Sequence, residues 1–166
     1  LPLISNDSIL KPAKVDFDAY EKLVSEVKAH RKTRLIDFKD FLKSSKEENV
    51  VILDTRSVFM YNQKHIKGAI HLNFSDFTQE NLAKIIPSFE TKILIYCNNN
   101  IDDDPIHFAS KTAMPRKNKG KELTLALNIP TYINLYGYGY RNVYELSELV
   151  SIFDKRLELE GKLFLK

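Results

Sequence analysis

This chain of 166 residues contains a single thiol, Cys97. One cysteine excludes an intrachain disulfide and any metal site built from several thiolates. It leaves that sulfur as either apolar filler or a reactive group. Long apolar runs are also missing. None approaches the roughly 18 residues that a membrane-spanning helix needs, so no membrane span is expected. Strong charge of one sign is missing too. The formal net charge is +3, and Lys and Arg are scattered among Asp and Glu apart from a basic cluster between Arg116 and Lys121. A nucleic-acid binder presents a denser basic face than this, so nucleic acid is excluded as a partner. Small anions remain compatible with the charge.

What is present is ordinary for a soluble globular protein: 43% hydrophobic and 28% charged residues. The length supports one domain with a proper core and is short for two. A start at Leu1 instead of Met fits a trimmed or processed chain. It leaves the compartment open and favours export, periplasmic or secreted, over the cytoplasm.

Residues Leu1 to Val15 read as an irregular lead-in carrying Pro2 and Pro12. Asp16 then stands as a helix cap before Phe17, Tyr20, Val24 and Val27 at helical spacing, with cations from Lys28 to Lys32 near the end. A second short helix, Phe38 to Lys43, follows Asp37 as its cap. Val50 to Leu53 and Lys92 to Tyr96 are continuous apolar runs of the kind that form strands buried on both faces. Ser57 to Asn62 fits one or two helical turns, Gly68 marks a tight turn, and Ile70 to Asn73 is extended. Ser75 to Ile86 reads as a helix stopped by Pro87. A long polar connection spans Asn98 to about Lys121. A further helix begins at Leu123 or Pro130 and ends at Tyr136, Arg141 to Leu146 alternates as a strand, and Leu149 to Leu157 reads as a closing helix. Strands alternating with helices predict an α/β fold with an open, mostly parallel sheet and helices on both faces.

In such a sheet, ligands bind beyond the carboxyl ends of the strands. One buried run ends at Asp54, Thr55 and Arg56, and the other ends at Cys97. Both sets are therefore directed to one rim. Asp54 and Arg56 are expected to be a structural pair shaping that rim. Tyr136, Tyr138, Tyr140 and Tyr144 are expected to pack as core and rim.

Four segments resemble the rhodanese (sulfurtransferase) family, in the family's order. They are Asp54-Thr55-Arg56 after a buried strand, His65-Ile66-Lys67-Gly68-Ala69-Ile70-His71-Leu72, Ile93-Leu94-Ile95-Tyr96-Cys97, and Tyr140-Arg141-Asn142-Val143-Tyr144-Glu145-Leu146. The likeness spans about Phe38 to Val150. It implies a rhodanese-like domain over 35–158, preceded by a lead-in and amphipathic helix over 1–34, interrupted by a polar insertion at about 98–121, and followed by a tail over 159–166. It implies Cys97 as a nucleophile that takes a sulfane sulfur, holds it as a persulfide and passes it to a thiol or cyanide-like acceptor, with no cofactor. The partner would be a small sulfur-containing anion or a thiol, including a protein thiol. Backbone amides of Asn98, Asn99, Asn100, Ile101 and Asp102 would supply donors to the anion, with Arg56 at the rim. In the family pattern His65 and His71 stabilise a turn, and no metal is implied.

The loop after Cys97 departs from that pattern. It reads Asn98-Asn99-Asn100-Ile101-Asp102-Asp103-Asp104, with no arginine and no glycine. Carboxylates near a thiol raise its pKa and repel thiosulfate. Two like charges about 6 Å apart at an effective dielectric of about 20 cost about 3 kcal/mol. Lys111, Arg116, Lys117 or Lys119 folding back would offset this. Phosphatases of this fold need an arginine where Asp103 stands, which excludes that activity. Asn98, Asn100, Asp102 and Asp104 alternate like calcium ligands, but Asp103 replaces the required glycine and Ala109 the closing acid. Two hypotheses follow: a sulfurtransferase, or a binding module that keeps the fold without the chemistry.

Overall fold

Asp16 opens the first helix as expected, its carboxylate accepting the Ala19 amide at 3.0 Å. The computed structural model describes residues 10–114 and 120–165. The start of the lead-in and Arg116, Lys117 and Lys119 therefore lie outside the described residues. Helix α1 covers Phe17–Arg31, β1 Leu35–Ile36 and α2 Phe38–Ser45, the last capped by Asp37. Strand β2 (Val50–Asp54) leads through Ser57, which caps α3 (Val58–Gln63), to β3 (His65–Ile66) and β4 (Ile70–His71). Helix α4 (Gln79–Ile85) and β5 (Lys92–Tyr96) follow, then β6 (Ile101–Asp102), the small antiparallel pair β7 (Thr112–Ala113) and β8 (Leu123–Thr124), and α5 (Asn128–Gly137). Strands β9 (Val143–Leu146), β10 (Val150–Ser151) and β11 (Leu159–Glu160) complete the fold.

The central sheet runs β1-β9-β5-β2-β4, and every neighbouring pair is parallel. Two of its three interior strands are the two apolar runs, β2 and β5, because only strands covered on both faces can be apolar at every position. Leu53, Ile93 and Ile95 point to one face, where they meet Val27 of α1, Leu82 of α4, and Tyr132 and Leu135 of α5. Ile52, Leu94 and Tyr96 point to the other, against Phe38 and Phe41 of α2, with Ile66, Phe108 and Leu146. The predicted parallel sheet with helices on both faces is what forms.

Several predicted elements differ. On α1 the packed stripe is Leu23 and Val27, while Phe17, Tyr20 and Val24 stay exposed. The helix is held by Arg31, whose Nε donates to the buried Glu145 of β9 at 2.8 Å. The helix expected over Ser75 to Ile86 is shorter. Asn73 accepts the Ser75 amide and fixes a single 3₁₀ turn, Phe77 is extended into the core, and Thr78 caps α4 by accepting the Asn81 amide at 3.0 Å. Helix α5 starts at Asn128, so Pro130 lies within its first turn instead of opening it. The closing helix expected over Leu149 to Leu157 does not form. Val150 and Ser151 pair in parallel with Ile101 and Asp102, and Asp154 then bends the chain by accepting the Arg156 amide at 2.8 Å. A strand partner distant in sequence overrides the local helical spacing.

The end of the chain is sewn to the α3–β4 region by β11, which pairs antiparallel with β3. At the following turn, Gly161 has φ +139, and a Cβ there would lie 2.4 Å from the Gln63 carbonyl oxygen. Gly68 also has positive φ, +86, but has open space beside it. Gly161→Ala is therefore expected to cost about 3 kcal/mol or more in urea denaturation, and Gly68→Ala only about 1 kcal/mol. Equal losses would show that the contact with Gln63 does not matter.

Candidate functional site at the carboxyl edge of the sheet

The register of β2 against β5 sets Asp54 opposite Tyr96, so the residues that follow each strand share one rim. Asp54 is fully buried and Arg56 nearly so. The Arg56 backbone amide and Nε donate to Asp54 Oδ1 at 3.0 and 3.1 Å, and Nη2 donates to Oδ2 at 2.9 Å. The Tyr96 hydroxyl donates to the same carboxylate and accepts the Ile66 amide at 3.0 Å. Burial, followed by the Asp54 charge, pushes the Tyr96 phenol well above its ordinary value, so it stays a donor. Arg56 also donates from Nη1 to the His107 carbonyl and from Nη2 to the Lys64 carbonyl, and lies over the Phe108 ring. Asp54 and Arg56 thus form the expected structural pair.

Cys97 follows β5 and precedes a 3₁₀ turn over Asn98–Asn100. Its residue exposure is 1%, yet it is among the residues that line a cavity of about 300 Å³. The other walls are Arg56, Ser57, Met60, Asn98, Lys111 and Leu125 to Leu127. The sulfur accepts the Leu127 amide at 3.4 Å, and the Asn98 amide also acts on it. Leu127 is the residue before α5, whose amino-terminal dipole favours negative charge there. Burial outweighs these donors and pushes the Cys97 thiol above its usual value.

The residues predicted for the site separate. The amides of Asn100 and Ile101 are spent inside the turn, on the carbonyls of Cys97 and Asn98. The Asn100 side chain locks this arrangement. Its Oδ1 accepts the Cys97 amide at 3.0 Å and Asn128 Nδ2 at 2.7 Å, and its Nδ2 donates to the Leu146 carbonyl at 2.8 Å. Asn99 braces the loop by exchanging two hydrogen bonds with the backbone of Lys111. Ile101 and Asp102 belong to β6 and, like Asp103 and Asp104, line a neighbouring cleft instead of the sulfur's cavity.

The expected crowding of the thiol by carboxylates is therefore absent. Asp103 accepts from the Ser151 hydroxyl at 2.7 Å, and Asp104 pairs with Lys64 at 2.7 Å. Burial opposes ionisation of Asp104, but Lys64 and the His107 amide outweigh it and hold the carboxyl below its ordinary value. Lys111 is among the residues that line the cavity, its backbone held by Asn99. His65 donates from Nδ1 to the Tyr61 carbonyl and stacks on that ring at 3.8 Å, while His71 donates to the Arg56 carbonyl. Among the described residues no group of His, Cys, Asp and Glu is placed to hold a metal, and no helix is long and apolar enough to cross a membrane.

The Leu127 amide was not legible beforehand, because nothing in a leucine's side chain marks its N–H as a donor to sulfur. The signal available was Pro130, which belongs in a first helical turn and so places free amides just before it.

Removing one partner of the buried pair strands the other. Asp54→Asn is expected to destabilise the domain by about 3 to 5 kcal/mol in urea denaturation. A loss below about 1 kcal/mol would mean the pair does not hold the rim.

The family model described as the rhodanese-like domain matches residues 37–148. Among solved structures, the chain is similar to the BH2092 protein from Bacillus halodurans, with a TM-score of 0.50 and 19% identity over 88% of this chain and 86% of that one. It is similar to EanB in complex with hercynine, with a TM-score of 0.51 and 18% identity over 80% of this chain and 28% of that one. A rhodanese with anions from E. coli is similar over 68% of this chain and 98% of that one, with 18% identity and a TM-score of 0.40. No curated protein matches. The family match covers most of the chain and includes both central strands and Cys97, so this protein belongs to the rhodanese-like domain family.

Proposed function

We propose that this domain is a sulfurtransferase in which Cys97 carries the sulfur. The observation that supports this reading best is that Cys97 lines a cavity while its sulfur accepts, at 3.4 Å, the Leu127 amide before α5. A filler cysteine needs neither an adjoining cavity nor an aimed N–H.

In the first step the Cys97 thiolate attacks the outer sulfur of a donor persulfide, RS–SH. The donor's S–S bond breaks and its electron pair leaves with RS⁻, while Cys97 becomes a persulfide. In the second step a nucleophilic acceptor, a thiolate or a cyanide-like anion, attacks the outer sulfur, and the electron pair of the broken bond returns to Cys97. The Leu127 and Asn98 amides serve both stages by stabilising charge on the inner sulfur. Arg56 supports the wall beneath them, and its charge, paired with Asp54, adds only a minor favourable influence at the sulfur.

A second reading, a binding module without turnover, is favoured by one observation: burial keeps the free thiol protonated at neutral pH. Intact-mass measurement after incubation with small-molecule persulfides separates the two. The enzyme gains one sulfur atom and loses it again to an acceptor thiol, and Cys97→Ser gains none. Repeated absence of the added sulfur across several donors would leave the binding module.

The raised thiol pKa also fixes the direction of the pH profile. Only thiolate reacts, so below the raised pKa the rate at which iodoacetamide, an electrophile that does not titrate, alkylates Cys97 is expected to climb about tenfold per pH unit through neutrality. It should level off only on the alkaline side. A rate already flat between about pH 6 and pH 8 would mean that the thiol is activated, contrary to its burial.

A further inference from the structure

Resting on the sulfurtransferase reading above, we propose that Asn100 is a positioning residue for sulfur transfer: its Oδ1, shared between the Cys97 amide and the Asn128 side chain, holds the sulfur in register with the Leu127 N–H.

The hydrogen bonds around this carboxamide carry the argument. Asn100 is buried, 5% exposed. Its Oδ1 accepts the Cys97 amide at 3.0 Å and Asn128 Nδ2 at 2.7 Å. Its Nδ2 donates to the Leu146 carbonyl at 2.8 Å and to the Glu148 carbonyl at 3.2 Å. A carboxamide has two acceptor sites and two N–H donors, so nothing is left over. Its orientation is fixed by its partners, since a backbone amide can only donate and a backbone carbonyl can only accept. The nitrogen end ties Asn100 to the end of β9 and the turn after it. The oxygen end joins the two segments that meet at the sulfur.

Those two segments need such a joint. The sulfur belongs to the residue after β5, whereas the N–H that it accepts at 3.4 Å belongs to Leu127, 30 residues later in the chain. Leu127 occupies the cap position of α5, and a leucine side chain offers no acceptor with which to fix a helix start. The next residue supplies the anchor: Asn128 reaches across to the oxygen that also holds the Cys97 amide. Further anchors stand on either side. The Leu125 amide donates to the Lys111 carbonyl at 2.7 Å, and the Thr131 and Thr55 hydroxyls share a hydrogen bond at 3.0 Å. They dock the approach and the body of the helix, and the Asn100 oxygen sets its first residue against the sulfur. A hydrogen bond weakens steeply as its angle closes, so a small rotation of the Leu127 peptide removes much of it. Among the influences that oppose burial at the thiol, this amide is the largest.

Asn100 and Asn128 are uncharged, and Asp54 and Arg56, which also act on the thiol, are left in place when either is replaced. A change in thiol acidity in these variants therefore reports geometry. The test follows alkylation of the whole chain by iodoacetamide, in which the thiolate attacks the methylene carbon and iodide leaves, by intact mass from neutral pH to the alkaline plateau. The midpoint reports acidity and the plateau reports access, so a loosened fold is not mistaken for a displaced amide. Asn128→Ala is expected to move the midpoint about one pH unit to the alkaline side, an about tenfold loss of thiolate at neutral pH. Asn100→Ala should shift it at least as far, and adding Asn128→Ala to it should shift it no further, because both act through one oxygen. Asn128→Ala decides the matter even where Asn100→Ala does not fold, because it leaves the Cys97 amide and both carbonyls paired. Gly161→Ala, destabilised through its contact with Gln63, should leave the midpoint in place. Loading from small-molecule persulfides should slow in Asn128→Ala by the same factor as alkylation. A midpoint unmoved by Asn128→Ala, or moved equally by Gly161→Ala, overturns the positioning and leaves Cys97 as a sulfur carrier. Loading of the unsubstituted chain from no persulfide overturns the carrier reading, and a role in transfer with it.

Discussion

The carboxylate of Asp54 sits without solvent at the end of a strand whose neighbours are apolar, and the whole rim is arranged around neutralising it. An isolated charge there would cost several kcal/mol. Four donors meet it: the Arg56 amide, Nε and Nη2, and the Tyr96 hydroxyl. Each donor fixes something else in turn. Tyr96 links the carboxylate to the Ile66 amide and so ties β5 to β3, while Arg56 reaches the His107 and Lys64 carbonyls and pins the long insertion to the turn after α3. The sheet's parallel register brings the sulfur to this rim, and the ion pair keeps the rim in shape.

That arrangement also explains the state of the thiol. A paired charge cluster projects little field, so neither Asp54 nor Arg56 dominates at Cys97, and the balance is left to burial against two amides. Burial wins. A free thiol in this place is pushed toward its protonated form. The structure thus separates two tasks that a single loop could have combined. The inner turn holds the backbone, and the Leu127 amide before α5 faces the sulfur.

Much of the fold could be read from the chain alone, for a physical reason. Val50 to Leu53 and Lys92 to Tyr96 have no polar alternation, and a run with that property has few homes other than the middle of a parallel sheet. Asp16 and Asp37 are caps because short acidic side chains find free amides just downstream, a purely local effect. Val150 and Ser151 were misread because their partner, Ile101 and Asp102, lies far away in sequence. The shortened α4 was hidden by the apolar Phe77, which suits a helix face and an extended core position equally well. At the site, Cys97, Arg56 and Lys111 could be named in advance as residue types. The directions of the Asp102 to Asp104 carboxylates could not, since Ser151 and Lys64 decide them.

The asparagines after Cys97 illustrate how a loop can lose its expected chemistry and keep its shape. Without glycine, a cradle of converging amides would demand backbone angles that ordinary residues resist. Here the chain closes a 3₁₀ turn instead, and Asn100 binds across it from Cys97 to Asn128 and Leu146. Only Asp103 in this stretch takes a positive φ, 67°, a conformation that aspartate tolerates better than most residues. It does so where β6 turns away from the sulfur, which carries the acidic side chains into the neighbouring cleft. The loop's polarity is therefore spent on fold, and the space beside the sulfur stays free of carboxylates.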